Sequence, residues 1–494
     1  MRSLFHRVEK PQYVSAVPPA ETVTDIAQKQ GTTSIETGTA ISTTDKTVKQ
    51  QRVKKNLTPE ESLMRKRRLA LTTIAVSLVV GGRWFVANVE PTYPVGEGVH
   101  APNTAPEWGK MKQPNAATFY MAAADALDLE AVNETLRGVK SGTLDLVDQP
   151  VAVQKPPIAI AQPAFVLLRQ GMKYPYVPDF QTNYFKSDPI EAVGFARPVP
   201  NFIIQREMAR LLAAESSMRG AQGNHAGAME SSLDAVRLGV DQAQGHSLIE
   251  GMIGVLIQGI GAKEGIKHVT GLSAEEARVA TSRLEKTLAA EQTFAQFMTH
   301  ERNMTFEFLK ELYSRGNVGG LATLENESMG PTLKGPIGRV VSGAMLMYYT
   351  KQGLVNDFAS YNDLILARVK LPYQQAKQLP PIAESSNRFV RIVVPNYQRG
   401  FMQTTTKAAW NRVLLAQLAV QAYRGEHNGE FPPSLTELTT GEKPYLNTVP
   451  SDPFSQSGSD PLRYNAQSGK VYSVGENSVD DGNTGDDNAE LFKK

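Results

Sequence analysis

The chain of 494 residues contains no cysteine, which excludes disulfides, thiolate metal sites and a cysteine nucleophile. Charge of one sign is equally scarce as a surplus. The 52 basic and 50 acidic residues leave a formal charge of +2, so a global basic field for nucleic acid is excluded. Neither G-x-x-x-x-G-K-[ST] nor G-x-S-x-G occurs, so the usual phosphate loop and nucleophile elbow are missing. Gly259-Ile-Gly261-Ala-Lys-Glu-Gly265 has the wrong spacing for a dinucleotide loop, and no strand precedes it. His300-Glu301-Arg-Asn-Met304 begins like a zinc-protease helix, but Met304 replaces the second imidazole. The seven histidines are scattered, and His225, His246 and His268 read as surface or capping residues. Glu275-Glu276 stands in a helix's first turn, where the macrodipole favours acids. No catalytic residue and no enzyme activity are expected.

What is present is enough apolar sequence for a core: 41% hydrophobic against 21% charged. The length allows roughly two to four units. The clearest signal is Leu69–Val89. Leu69–Gly82 carries no charge, and Arg83 and Trp84 follow, suited to snorkelling and anchoring at the far interface. The segment is 21 residues long, enough to span hydrocarbon as a helix. Thr58-Pro59-Glu60-Glu61 suits a helix start. A buried core helix and a cleaved signal are the competing readings. The abutting Arg65-Lys66-Arg67-Arg68 and the 68 preceding residues favour an anchor. Residues 1–68 hold 13 Lys/Arg against 7 Asp/Glu, which places the N-terminus in the cytoplasm and the remainder outside it.

The expected organisation is mainly α. Residues 1–57 read as a disordered cytoplasmic tail, 58–89 as the transmembrane helix and 90–115 as a proline-rich linker. Residues 116–400 read as a helical domain, offering surface to a protein partner. Within it, 150–200 is expected to be irregular, because its nine prolines argue against long helices. Tyr174, Tyr176, Phe180, Tyr184 and Phe185 are expected to pin that segment to the helices. Gly223 marks a turn between two helices, and Ser273–Glu276 forms a capping box. Residues 316–337 read as a glycine-rich loop, and helical spacing resumes over Val340–Val369 and Gln398–Tyr423. A small α+β domain is expected over 401–494.

Ala209–Leu238 resembles one tetratricopeptide-type helical hairpin. Gly223 falls in its turn and Ala228 and Ala235 at its small-residue positions, while Glu215 and Arg219 replace large apolar residues. The last 90 residues or so resemble the C-terminal half of the type II secretion major pseudopilin. The likeness rests on Gly429, Phe431, Pro432, Leu435, Asp452, Pro453, Phe454, Tyr464, Ser473 and Gly475, in that family's order. It implies a helix, a short antiparallel hairpin and a calcium-binding loop. The pseudopilin processing site is not matched, since Arg68 precedes Leu69 and Thr73 stands where a glutamate belongs. The whole arrangement is similar to membrane-anchored envelope proteins of planctomycete-type bacteria, a likeness that implies no activity.

The acidic loop Glu476–Glu490 supplies Asp480, Asp481, Asp486 and Asp487 as candidate calcium ligands, with Gly482 and Gly485 to let it bend. A solvated acidic tail is the alternative. The functional expectation is a membrane-anchored extracytoplasmic scaffold or binding protein of the cell envelope. An accessory part of a type II secretion or pilus-like machine and a hydrolase with a cleft at 150–200 are the alternatives. The sequence sets no oligomeric state.

Overall fold

A mainly helical chain emerges, and among the described residues the paired strands lie near the C-terminal end. The computed structural model describes residues 58, 62–74, 91–92, 115–139, 142–177, 200–244, 247–314, 350–387, 390–391 and 397–482. The expected tail 1–57, most of the linker, the aromatics at 180–185, the glycine-rich stretch 316–337 and most of Leu69–Val89 lie outside these residues.

Local chemistry marks most helix starts. Asn115 accepts from the Ala117 N–H at 3.1 Å to open α1 (Ala116–Ala126). Asp128 accepts from Ala131 N–H at 2.9 Å to open α2 (Leu129–Thr135). After a 3-10 segment, Gly142–Asp148, α3 runs over Val151–Gly171. This corrects the irregular segment expected there: 21 residues are helical with Pro156, Pro157 and Pro163 inside. Each proline removes a backbone donor, yet one face of the helix buries Ile158, Ala161, Ala164, Phe165 and Leu168. Tertiary burial overrides local propensity there. Beyond the helix, Tyr174 stacks on Phe119 and Tyr176 on Tyr120, with ring centroids 5.5 and 5.8 Å apart, so these two do pin the chain.

α4 (Pro200–Ala221) and α5 (His225–Ala243) form a hairpin. Gly223, at φ +79°, closes α4: its N–H reaches the Gly220 carbonyl and that of Asn224 the Arg219 carbonyl, both at 2.9 Å. The Asn224 side chain then caps α5. α6 (Leu248–Gly265) opens with a Ser247–Glu250 capping box, and α7 (Ala274–Leu288) with the expected Ser273–Glu276 box. α8 (Phe294–Ser314), α9 (Lys351–Val369), α10 (Tyr373–Gln378) and α11 (Tyr397–Glu426) follow. Strands β1 (Arg463–Asn465) and β2 (Lys470–Tyr472) pair antiparallel, with Tyr464 opposite Val471.

α6 is the hub. A Cβ on Gly254 would lie 2.5 Å from the Gly239 carbonyl oxygen and 2.6 Å from the Ala243 nitrogen, so α5 and α6 cross backbone against backbone. Elsewhere on α6, Phe297 of α8 covers Gly251 and Trp410 of α11 covers Gly259. Around this hub lie three apolar clusters. One joins α1, α3 and α4 to Ala235, Leu238 and Ile257. Another joins α5 and α7 to α11 and the C-terminal segment, through Val413, Leu414, Leu418, Leu435 and Val471. A third unites α6, α8 and α9 around Phe294, Phe297 and Ile365.

Gly254→Val is expected to cost about 2–3 kcal/mol by forcing the α5–α6 crossing apart. Urea unfolding of the purified chain checks this. The midpoint should fall with little change of slope, and an unchanged midpoint would refute the tight crossing.

Candidate functional site

The C-terminal segment is built on one buried carboxylate. Asp452 is 1% exposed. Its Oδ1 accepts from the Phe454 N–H at 2.9 Å and the Ser473 hydroxyl at 2.7 Å, and its Oδ2 accepts from the Val474 N–H at 2.8 Å. Asp452 thereby fastens the turn at 451–455 to the exit of β2. Phe454 is fully buried against Ala409 of α11 and Val474. The Tyr464 hydroxyl donates to the Pro432 carbonyl at 2.7 Å, tying β1 to the turn after α11.

The acidic loop follows directly. Asp480 Oδ1 accepts from the Tyr472 hydroxyl at 3.0 Å and the Gly482 N–H at 3.1 Å, and Oδ2 faces Arg463 Nε at 3.4 Å. Asp481 Oδ2 accepts from Asn477 Nδ2 at 3.1 Å. Glu476 is gathered by α10. Its carbonyl accepts from Gln374 at 3.0 Å and Lys377 at 3.1 Å, and its carboxylate from Tyr373 and Lys377, both at 3.2 Å. Among the described residues no three acidic or histidine side chains gather as a metal would require. Asp480 thus ties the loop to both strands of the hairpin, and Asp481 ties it to Asn477. Asp486 and Asp487 lie outside the described residues.

A second joint locks α7 to the segment after α11. Arg278 makes a two-point pair with Glu426, whose Oε2 also accepts from the Tyr445 hydroxyl at 2.6 Å. The Arg278 guanidinium lies 3.7 Å from the Tyr445 ring centroid. The Arg278 bonds hold the Glu426 carboxyl down at about 2. Burial and the Glu426 charge push Tyr445 up to about 12.

The charged residues that the sequence reading missed lie inside the helical body. Glu215, 1% exposed, accepts from Arg219 at 2.9 Å, Ser231 at 2.8 Å and Gln162 at 3.1 Å, and also pairs with Arg169. Asp234 pairs with the same Arg169 at 2.7 Å and with Arg283. Burial works against the ionised Glu215, but Arg169 outweighs it and holds the carboxyl below its ordinary range. Glu215 and Arg219 are the two residues that break the tetratricopeptide-like pattern, and that break was the available signal. Two further carboxylates are engaged: Asp241 accepts from Tyr120 at 2.6 Å and Arg237 at 2.8 Å. Glu301 of the protease-like pentad accepts from the Leu248 N–H at 2.8 Å and so caps α6. The structure also brings together two histidines that the sequence reading treated separately. The His225 and His268 rings lie 6.0 Å apart, and Glu264 faces His268 Nε2 at 3.3 Å. The arrangement braces helices against one another.

Removing Glu215 leaves Arg169 and Arg219 short of their shared carboxylate. Glu215→Ala is expected to destabilise by about 3–5 kcal/mol, while Arg219→Ala, which strips a partly exposed partner, costs less. Chemical denaturation checks the order, and equal costs would contradict it. The Arg278–Glu426 joint predicts a pH dependence. Its carboxyl is depressed from 4.5 to about 2, so its contribution is complete above 4.5 and is lost as pH falls toward about 2. The melting difference between wild type and Arg278→Ala should shrink across that window. A difference independent of pH would refute it. No protein-family model matches the chain, and no curated protein or solved structure matches it significantly.

Proposed function

We propose that the chain is a single-pass membrane-anchored scaffold or binding protein of a bacterial envelope, with a cytoplasmic N-terminus and an extracytoplasmic body. The observation that carries this reading is the helical stretch 62–74. It leaves Leu69, Leu71 and Ile74 exposed at 70%, 67% and 56%, directly after Arg65-Lys66-Arg67-Arg68. Bare leucine and isoleucine on a helix call for an apolar cover. The uncharged sequence continues to Gly82, so hydrocarbon is a fitting cover. α3 is also long and apolar enough to cross a membrane. Its Phe165 and Leu168 belong to the core, however, and its Arg169 is engaged with Glu215 and Asp234. We read α3 as a core helix.

The scaffold role draws support from the way buried ion pairs fix α3, α4, α5 and α7 to one another. A body so braced presents a constant surface to a partner. A second reading, an accessory part of a secretion or pilus-like machine, draws on the pseudopilin-like order of helix, Asp452 turn and hairpin.

The experiment is fractionation together with a C-terminal alkaline phosphatase fusion. The full chain should sediment with membranes, be released by detergent but not by high salt, and give an active reporter. Deletion of residues 69–89 should leave the reporter inactive in the cytosol. A full-length chain that stays soluble without detergent would overturn the proposal.

A further inference from the structure

One buried cluster is not needed to explain the scaffold. Lys407 and Asn411 stand one turn apart on α11, 2% and 0% exposed. Glu291, in the connection between α7 and α8, reaches both through a single oxygen. Its Oε1 lies 2.6 Å from Lys407 Nζ and 3.0 Å from Asn411 Nδ2. Asn411 Nδ2 also donates to Gln258 Oε1 at 3.0 Å, while Asn411 Oδ1 is buried with no hydrogen-bond partner among the described residues. Residues at i and i+4 of a helix are side-chain neighbours, so the lysine amine and the asparagine carboxamide are held together where solvent is excluded.

We infer that Lys407 and Asn411 form an intramolecular isopeptide bond, with Glu291 as the catalytic residue that relays the proton. Lys407 Nζ gives a proton to Glu291 Oε1 and becomes a neutral amine. That amine attacks Asn411 Cγ, the charge passing to the orphaned Oδ1. The Nζ–Cγ bond forms, Glu291 passes its proton to Nδ2, and the Cγ–Nδ2 bond breaks to release ammonia; the second Nζ proton then leaves through Glu291 and converts that ammonia to ammonium. An ammonium side chain and a carboxamide become a secondary amide and one ammonium ion. Glu291 ends as the carboxylate it began, and no oxidant, reductant or cofactor takes part. Three features favour the step. Lys407 Nζ and Asn411 Nδ2 are both held on one Glu291 oxygen, which lowers the entropic cost of their encounter. The acid–base group touches both the nucleophile and the leaving nitrogen within hydrogen-bond reach. Burial keeps water from competing for the carboxamide. The resting cluster is an ion pair: burial opposes ionised Glu291, but Lys407 outweighs it and holds the carboxyl below its ordinary range. Transfer from Nζ to Oε1 is therefore the opening step. In a chain without cysteine, such a bond is a covalent staple that needs no oxidising partner.

The test is mass spectrometry of the full-length chain purified in detergent and incubated overnight at physiological temperature. A tryptic peptide spanning residues 400–412 should appear uncut after Lys407 and lighter by about 17 Da, the mass of one ammonia. Fragmentation should yield no ions from cleavage between 407 and 411. Lys407→Arg, Asn411→Ala and Glu291→Gln should each restore the sequence mass. Ordinary cleavage after Lys407 with an unmodified Asn411 in the wild type would overturn the inference, whatever the variants do. So would a loss of the same mass located at Asn428-Gly429, which marks a succinimide. Persistence of the cross-link in Glu291→Gln would remove Glu291 from the role assigned to it.

Discussion

Two backbones in contact set the terms for this fold. Where Gly239 and Gly254 meet, α5 and α6 lie so close that a Cβ at either glycine would run into the other helix's backbone. Their proximity lets α6 serve several neighbours at once, because its other small residues receive Phe297 and Trp410 from α8 and α11. Widening that contact by one methyl group would displace α6 from these partners together. Close-packed interiors do not absorb such displacements locally.

Against this apolar frame the body carries an unusual interior load of charge. Glu215, Asp234 and Asp241 are all but inaccessible, and each is matched by arginines whose side chains stay partly in water. The asymmetry makes physical sense. A guanidinium can lay its stem along apolar surface and keep part of its fork solvated. A carboxylate inside must have all of its acceptor capacity met. These pairs add specificity more than net stability: they fix which helix lies beside which, suited to a protein proposed to hold others in place.

Much of this was legible in the sequence where a local rule sufficed. Gly223 marked its turn because a left-handed residue was needed there. Ser273 and Glu276 marked a helix start because both side chains reciprocate with the backbone. α11 was legible by its periodicity. α3 was not, because local proline rules say nothing about the core that Phe165 and Leu168 enter. The pairing of Arg169 with Glu215 and Asp234 was also hidden, since it joins residues 46 and 65 positions apart. For the acidic loop, composition suggested oxygen ligands. Asp480 and Asp481 already had partners in Tyr472, Arg463 and Asn477, which composition cannot reveal.

α11 has a bearing on how the protein is made. It enters the body late in the chain, yet Val413, Leu414 and Leu418 complete the cluster begun by α5 and α7. A ribosome releases that helix only after α5 and α7 have emerged. Until then the earlier helices carry an open apolar seam, with Glu291 waiting for its lysine. Closure of the seam thus waits for α11, and a chain cut short before residue 397 would lack the helix that closes it.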